Sequence, residues 1–177
     1  DTLVSNDPLA IKKFADRGQI VGKPLRNAVV TGGNRERVLF TTRVSVDEET
    51  DADSIKACPM ILQREIRKKF DVRVTVVGEQ VFAATIDSQT DPATEVDWRR
   101  MSKAGLGHAV YQLPKAMADR CIALTRKLGL RFGAIDFVLD QDGQLWFLEI
   151  NPHGQWGWIE TRTGHPIAAA IASELER

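Results

Sequence analysis

Cysteine is scarce: Cys58 and Cys121 are the only two in 177 residues, too few for a disulfide framework or a zinc centre. No apolar run reaches membrane-spanning length, and the opening DTLVSNDPLA lacks the layout of a secretory signal. Neither sign of charge is in excess, since Lys+Arg and Asp+Glu both number 24. A dedicated nucleic-acid binder is usually basic, so that class is disfavoured. Repeats and low-complexity tracts are missing, and so is a starting Met, from which a piece of a longer chain is expected. These absences point to the cytoplasm, with neither membrane nor nucleic acid as partner. What remains is ordinary for a folded protein: 43% of residues are hydrophobic, enough for a core. The length suits one domain or one two-lobed unit, at ~100–200 residues per domain.

Turn and cap signals divide the chain. SNDPLAIKKFADRG reads as a helix, capped by Asn6 or Asp7, with Pro8 in its first turn and Gly18 as its stop. QIVGKPL reads as a strand that Pro24 ends. NAVVTGGNRERVLFTTRV reads as two β-rich runs around Gly32-Gly33, and the acidic DEETDADS as a solvated connection. MILQREI is an apolar strand turning polar. DVRVTVVGEQVFAATIDS is a hairpin folding at Gly78-Glu79, with Val72, Val74 and Val76 on one face and Asp71, Arg73 and Thr75 on the other. DPATEVDWRRMSKAGLGH has no period and reads as a long loop. LPKAMADRCIALTRKLGL is a helix whose apolar stripe is Met117, Cys121, Leu124 and Leu128. HPIAAAIASELER closes the chain as another helix.

GAIDFVLDQDGQLWFLEINPHGQWGW, residues 133–158, places an acid in each of two apolar runs. Asp142-Gly143 is a strong two-residue hairpin signal. With that turn Gln141 faces Gln144, and Asp136 falls directly opposite Glu149, with Cβ atoms ~4.5–5.5 Å apart on one face. Asn151 projects from the same face. Like charges so placed repel, the more so when half-buried. A divalent cation reverses the sign, and hard oxygen ligands beside an amide suit Mg²⁺. One rival is a sheet-edge acid in water. Another is an EF-hand loop, with Asp140, Asp142, Gly143 and Glu149 at positions three, five, six and twelve. Val138 at its first position cannot bind calcium, and the flanks are strand-like.

DFVLDQDGQLWFLEINP resembles the metal-binding end of the ATP-grasp ligases, in which an acid on one strand and Glu-x-Asn on the next hold Mg²⁺ against ATP. The resemblance implies Asp136, Glu149 and Asn151 as metal ligands. VGKPL is similar to the strand whose lysine, here Lys23, contacts the α- and β-phosphates. TGGNRERV resembles the flexible loop that closes over the phosphates, which assigns Gly32 and Gly33. LQREI resembles the hinge that reads adenine, with Gln63, Arg64 and Ile66 on the nucleotide. DVRVTVVG resembles the strand that supplies a ribose-binding acid, Asp71, and a phosphate-facing arginine, Arg73. Arg99, at the end of DWR, is placed at the reacting phosphate, where bidentate recognition is useful. Each residue keeps a plainer reading. Lys23 also fits a solvated lysine, Gly32-Gly33 a bare hairpin turn, and Asp71 and Arg73 an ion pair on a wet face. Trp156 and Trp158 are read as packing, or as the lining of a substrate pocket beside the metal.

The implied fold is α+β, a two-lobed ATP-grasp unit with antiparallel sheets and nucleotide between the lobes. Residues 1–62 form the first lobe and 63–177 the second. FDVRVTVVGEQVFAATIDSQ and FLEINPHGQWGWIE resemble the ribosomal-peptide maturases of the microviridin (graspetide) type. In that branch an N-terminal domain precedes DTLVSNDP, and without one weak ATP–Mg²⁺ binding and poor peptide modification are expected. The implied cofactors are ATP and Mg²⁺, and the implied partner is a precursor peptide with its leader; a homodimer stays open. A substrate Asp or Glu carboxylate attacks the γ-phosphate, and a Ser/Thr hydroxyl or Lys amine then displaces phosphate. His108, His153 and His165 are scattered, and no nucleophile constellation stands out, in keeping with direct transfer. The alternatives are a ligase adding an amino acid to a small molecule or protein terminus, and a non-catalytic nucleotide- or peptide-binding module.

Overall fold

The computed structural model describes residues 1–25, 29–32, 35–47, 50, 52–100 and 105–177. Two compact units emerge from the backbone. One comprises Asp1–Ile66 and Pro92–Ser102, the other Arg67–Asp91 and Lys103–Arg177.

In the first unit, α1 (Pro8–Ala15) begins where Asp7 caps it, the carboxylate accepting from the Leu9 amide at 3.0 Å with Pro8 in the first turn. The antiparallel strands β1 (Thr2–Ser5), β6 (Met60–Arg64), β2 (Ile20–Pro24) and β5 (Thr42–Val44) lie side by side in that order. Ile11 and Phe14 of α1 pack with Ile20, Ile55 and Leu62, which forms this unit's core. Ile55 belongs to α2 (Ala52–Ala57), a helix inside the segment expected to be a solvated connection. Six residues with one buried apolar side chain carry no visible period, and burial of Ile55 decides the outcome. β3 (Val29–Gly32) and β4 (Arg35–Val38) pair as the expected hairpin, Gly32 opposite Arg35. Gly33 lies outside the described residues.

The second unit is a five-stranded antiparallel sheet ordered β11-β10-β7-β8-β9. Its strands are β7 (Lys68–Val77), β8 (Gln80–Asp87), β9 (Gly107–Val110), β10 (Phe132–Asp140) and β11 (Leu145–Asn151). Gly78, at positive φ, turns β7 into β8 with Val77 opposite Gln80. Val72, Val74 and Val76 face α3 (Lys115–Lys127) and pack with Cys121, Ile135, Phe137 and Leu139. Burial of one such side chain is worth about 1.5–3 kcal/mol. The opposite parity, Val77, Phe82 and Ala84, packs with Ile159 of α4 (Gly157–Thr163) and with Ile167 and Ala170 of α5 (Ile167–Leu175). β9 and α4 fall in stretches without a readable period. Four residues are too few to show alternation, and α4 starts at a glycine. Among the described residues no helix is long and apolar enough to cross a membrane.

The turn between β10 and β11 differs from the two-residue reversal expected at Asp142-Gly143. Asp140 donates its amide to the Gln144 carbonyl, so residues 141–143 form the loop, with Gly143 at φ 83°. Asp140 shapes it, since Oδ1 accepts from the amides of Asp142 and Gln144 while Oδ2 accepts from Trp146 Nε1 at 2.7 Å. These bonds, Trp146 first, hold its carboxyl below the usual range. The ladder near the turn is therefore out of the expected register by one. A β-bulge then shifts it back, because Phe137 faces Phe147 but Asp136 faces Glu149, leaving Leu148 as the extra residue.

Candidate functional site

Sheet order decides who meets the acids. β10 lies between β11 and β7, and Asp136 is opposite Glu149 on one side and Arg73 on the other. Arg73 grips Asp136 with Nε at 2.6 Å from Oδ1 and Nη2 at 3.3 Å from Oδ2. The result is a row, Arg73–Asp136–Glu149, that runs outward from buried to exposed. The Arg73 side chain is 10% exposed and that of Asp136 18%, while Glu149 and Asn151 are exposed. The paired carboxylates of the sequence are real, but a guanidinium already meets one of them. Repulsion alone therefore does not demand a cation.

The donor set still fits one. A carboxylate offers about four lone-pair directions, and Arg73 uses one on each Asp136 oxygen. Glu149 presents its carboxylate to water beside it. Asn151, across from Ala134 on the same face, is steadied by its Oδ1 accepting the His153 amide at 2.8 Å. Two carboxylates and an amide are hard oxygen donors of the kind Mg²⁺ takes, with waters completing its shell. Among the described residues no group of three or more His, Cys, Asp or Glu side chains converges.

The turn that follows Asn151 is pressed against the sheet. Gly154 is buried, and a Cβ there would come 2.3 Å from the Ala134 Cβ, so only glycine fits. The Gln155 carbonyl accepts from Arg73 Nη1 at 3.2 Å, and the Trp158 ring lies 5.5 Å from the Arg73 guanidinium carbon. His108 meets Trp158 edge-on, with centroids 5.3 Å apart. Its Nδ1–H donates to the Leu106 carbonyl at 2.6 Å. Burial holds the His108 pKa below its ordinary value; the Leu106 bond opposes this and nearby Arg162 adds to it.

Asp71 and Arg73 do not sit on a wet face. Asp71 is 5% exposed, bonded by Lys68 at 2.8 Å and by the Ser88 hydroxyl at 2.5 Å. The carboxylate expected at a ribose is thus embedded in a buried Lys68–Asp71–Ser88 cluster. Lys68 and Ser88 were missed because each reads as an ordinary polar residue near a strand end.

The remaining assigned residues lie in the first unit. Lys23 is half-buried on β2, opposite Ile61. Gly32 ends β3. Gln63 Nε2 donates to Thr2 Oγ1 at 3.1 Å. Arg64 gives its backbone amide to the Asp1 carbonyl, and its guanidinium bonds the Gly18 and Phe14 carbonyls over the Phe14 ring. Ile66 is the last residue before the chain enters the second unit. Arg99 is 52% exposed and doubly bonded to Asp97, both contacts at 2.8 Å. Asp97 is buried and accepts from the Thr41 amide, which fastens the stretch around Asp97 to the start of β5. Burial opposes ionisation of Asp97, but the Arg99 and Thr41 bonds prevail and hold its pKa below 3.8.

Residues 19–175 match the family described as the RimK-like ATP-grasp domain. Among solved structures, the chain is similar to a RiPP-associated ATP-grasp ligase of Chryseobacterium gregarium in complex with ADP and a leader and core peptide. That likeness has a TM-score of 0.86 and 31% identity, covering 97% of this chain and 53% of that one. It is also similar to the macrocyclase MdnC of Microcystis aeruginosa MRC bound with precursor peptide MdnA. Here the TM-score is 0.79 and the identity 36%, with 97% and 52% covered. A curated relative named "Probable alpha-L-glutamate ligase", of Parasynechococcus marenigrum (strain WH8102), is 28% identical over 160 residues, 88% of this chain and 33% of that protein. The chain thus spans about half the length of these solved structures and a third of the curated relative.

Proposed function

From a chain that belongs to the RimK-like ATP-grasp family, we propose an ATP-dependent ligase that joins side chains within a ribosomally made precursor peptide. The observation that carries this reading is the Arg73–Asp136–Glu149 row, in a chain 36% identical to a macrocyclase bound with its precursor peptide. The substrate is an Asp or Glu carboxylate of that peptide. Its oxygen attacks the γ-phosphorus of ATP, the bond to the bridging oxygen breaks, and ADP leaves with that electron pair. A Ser/Thr hydroxyl or Lys amine then attacks the acyl carbon, loses its proton, and expels phosphate to form an ester or amide.

The residues serve that sequence by position and charge. Arg73 carries the positive charge nearest the acids and, clamped by Asp136 and the Gln155 carbonyl, offsets charge that builds on phosphate oxygens. Asp136, Glu149 and Asn151 would hold Mg²⁺. When bound, this ion supplies further charge neutralisation at the phosphates. Lys23, Gly32 and Gly33 are assigned to phosphate, and the backbone of Arg64 and Ile66 to adenine. Arg99 is assigned to the reacting phosphate, where its Asp97 clamp would hold the fork in one plane.

The test is incubation with ATP, Mg²⁺ and a candidate precursor, read by ADP release and peptide mass. Loss of one water per link with stoichiometric ADP supports cyclisation. The curated relative's name favours a second reading, addition of glutamate to an acceptor, in which the mass rises. ATP binding with neither ADP release nor mass change, persisting when an N-terminal domain is supplied, would sink both.

A further inference from the structure

Trp158 lies where the reaction's arginine is held, although no step of that reaction uses it. Resting on the reading above, we propose that Trp158 is a positioning residue: backed edge-on by His108, it locks the plane of the Arg73 guanidinium against Asp136.

Hydrogen bonds act on Arg73 mainly along the plane of its fork. Its contacts to Asp136 Oδ1, Asp136 Oδ2 and the Gln155 carbonyl are made by the N–H groups of a planar fork. Such bonds fix the fork within its plane better than they resist rocking out of it. The Arg73 guanidinium carbon lies over the Trp158 ring, within the ~6 Å over which an indole attracts a cation, and that attraction adds a restraint the hydrogen bonds do not supply. Burial strengthens the contact, since the Arg73 side chain is only 10% exposed.

Trp158 is itself held from two sides. Its neighbour Ile159 is fully buried in the core beneath α4, which fixes the backbone of that turn. His108 packs against the ring with interplanar angle 72°, the edge-to-face arrangement that aromatic pairs favour. The imidazole is pinned by Nδ1–H to the Leu106 carbonyl, and its Nε2 is buried without a hydrogen-bond partner. The line Leu106–His108–Trp158–Arg73–Asp136 therefore runs from the start of β9 to Arg73 on β7 and on to Asp136 on β10, past β8, which lies between β9 and β7. His108 touches neither acid, yet a change there is transmitted to the fork. Misplacement by an ångström can cost about a hundredfold in rate, so modest rocking is visible in turnover.

The experiment reads the fork directly and through turnover. The Arg73 Nε–Hε resonance, identified by its loss in Arg73→Lys, should be ring-current shifted and slow to exchange in the wild type. Trp158→Phe should keep both properties, while Trp158→Leu should lose the shift and exchange about tenfold faster, the loss of a desolvated cation–π contact. In peptide turnover Trp158→Leu should lower kcat about tenfold with KM for ATP within about twofold, and Trp158→Phe should recover most of it. His108→Ala should fall about fivefold, and His108→Phe, which retains an edge but not the bond to Leu106, should fall less. An Arg73 signal that is unchanged in Trp158→Leu, or lost equally in Trp158→Phe, overturns the proposal. An Arg73 signal that responds as expected while no protein turns over peptide, even with an N-terminal domain supplied, upholds the positioning role and sinks the reaction instead.

Discussion

Glu149→Gln separates the chemistry of the acid row from its stability. Glu149 is exposed and stands across from Asp136, with Cβ atoms ~4.5–5.5 Å apart for such a pair. At that distance two unit charges in a water-like dielectric repel by about 0.8 kcal/mol. Arg73, a strand further on and so roughly 10 Å from Glu149, returns about 0.4 kcal/mol of attraction. The net relief on neutralising Glu149 is about 0.4 kcal/mol, and salt screening makes it smaller. Glutamine conserves the volume, so thermal unfolding should move by no more than about a degree or two. Turnover should behave differently. A neutral amide is a poorer donor for a hard cation, so ATP-dependent ADP release should fall by at least about a hundredfold, equivalent to about 2.7 kcal/mol. Raised Mg²⁺ should recover part of it. The assay pairs a melting curve with steady-state ADP release across a Mg²⁺ titration. Wild-type turnover in a variant with an unchanged melting curve would refute the ligand assignment.

Three further outcomes follow from single contacts. Arg64→Ala should destabilise the first unit by about 1–2 kcal/mol in urea unfolding, because its guanidinium bonds the Gly18 and Phe14 carbonyls and covers the Phe14 ring. Arg64→Lys should restore less than half of that loss. Gly154→Ala should cost about 1–3 kcal/mol through the clash with the Ala134 Cβ, and adding Ala134→Gly should recover most of it; failure of the pair to recover would put the clash elsewhere. Asp97 has a depressed folded pKa, so its contribution is fully present above its ordinary 3.8 and disappears as pH falls through the lower folded value. The stability gap between wild type and Asp97→Asn should therefore be constant near neutrality and close below pH 3.8. A gap that widens on acidification would contradict the assigned direction.

How much of this was legible in the chain depends on how local each cause is. The strands of DVRVTVVGEQVFAATIDS and the parity of Val72, Val74 and Val76 follow from alternation and from one glycine at positive φ. The N-terminus of α1 follows from Asp7-Pro8, where cap and first turn are adjacent residues. The opposition of Asp136 to Glu149 was also readable, although the turn reading behind it was wrong by one residue. A three-residue loop shifted the ladder and the bulge at Leu148 shifted it back. A signal from two-residue turn chemistry cannot report either shift, because both depend on Asp140 bonding the loop and on packing further along the hairpin.

Identity of the neighbours across the sheet was a different matter. That β10 pairs with β7 on its other side, which brings Arg73 onto Asp136, joins residues 63 apart, and no turn between them specifies it. The same holds for Asp97 under Thr41 and for His108 against Trp158. Sequence by itself determined which residues alternate, where chains reverse and which acids share a hairpin, since dihedral preference and the period of two act over a few residues. Only the tertiary structure decided which charges are buried and with whom they pair. Those outcomes are set by strand order and by the drive to give every buried polar group a partner, and both act between segments far apart in the chain.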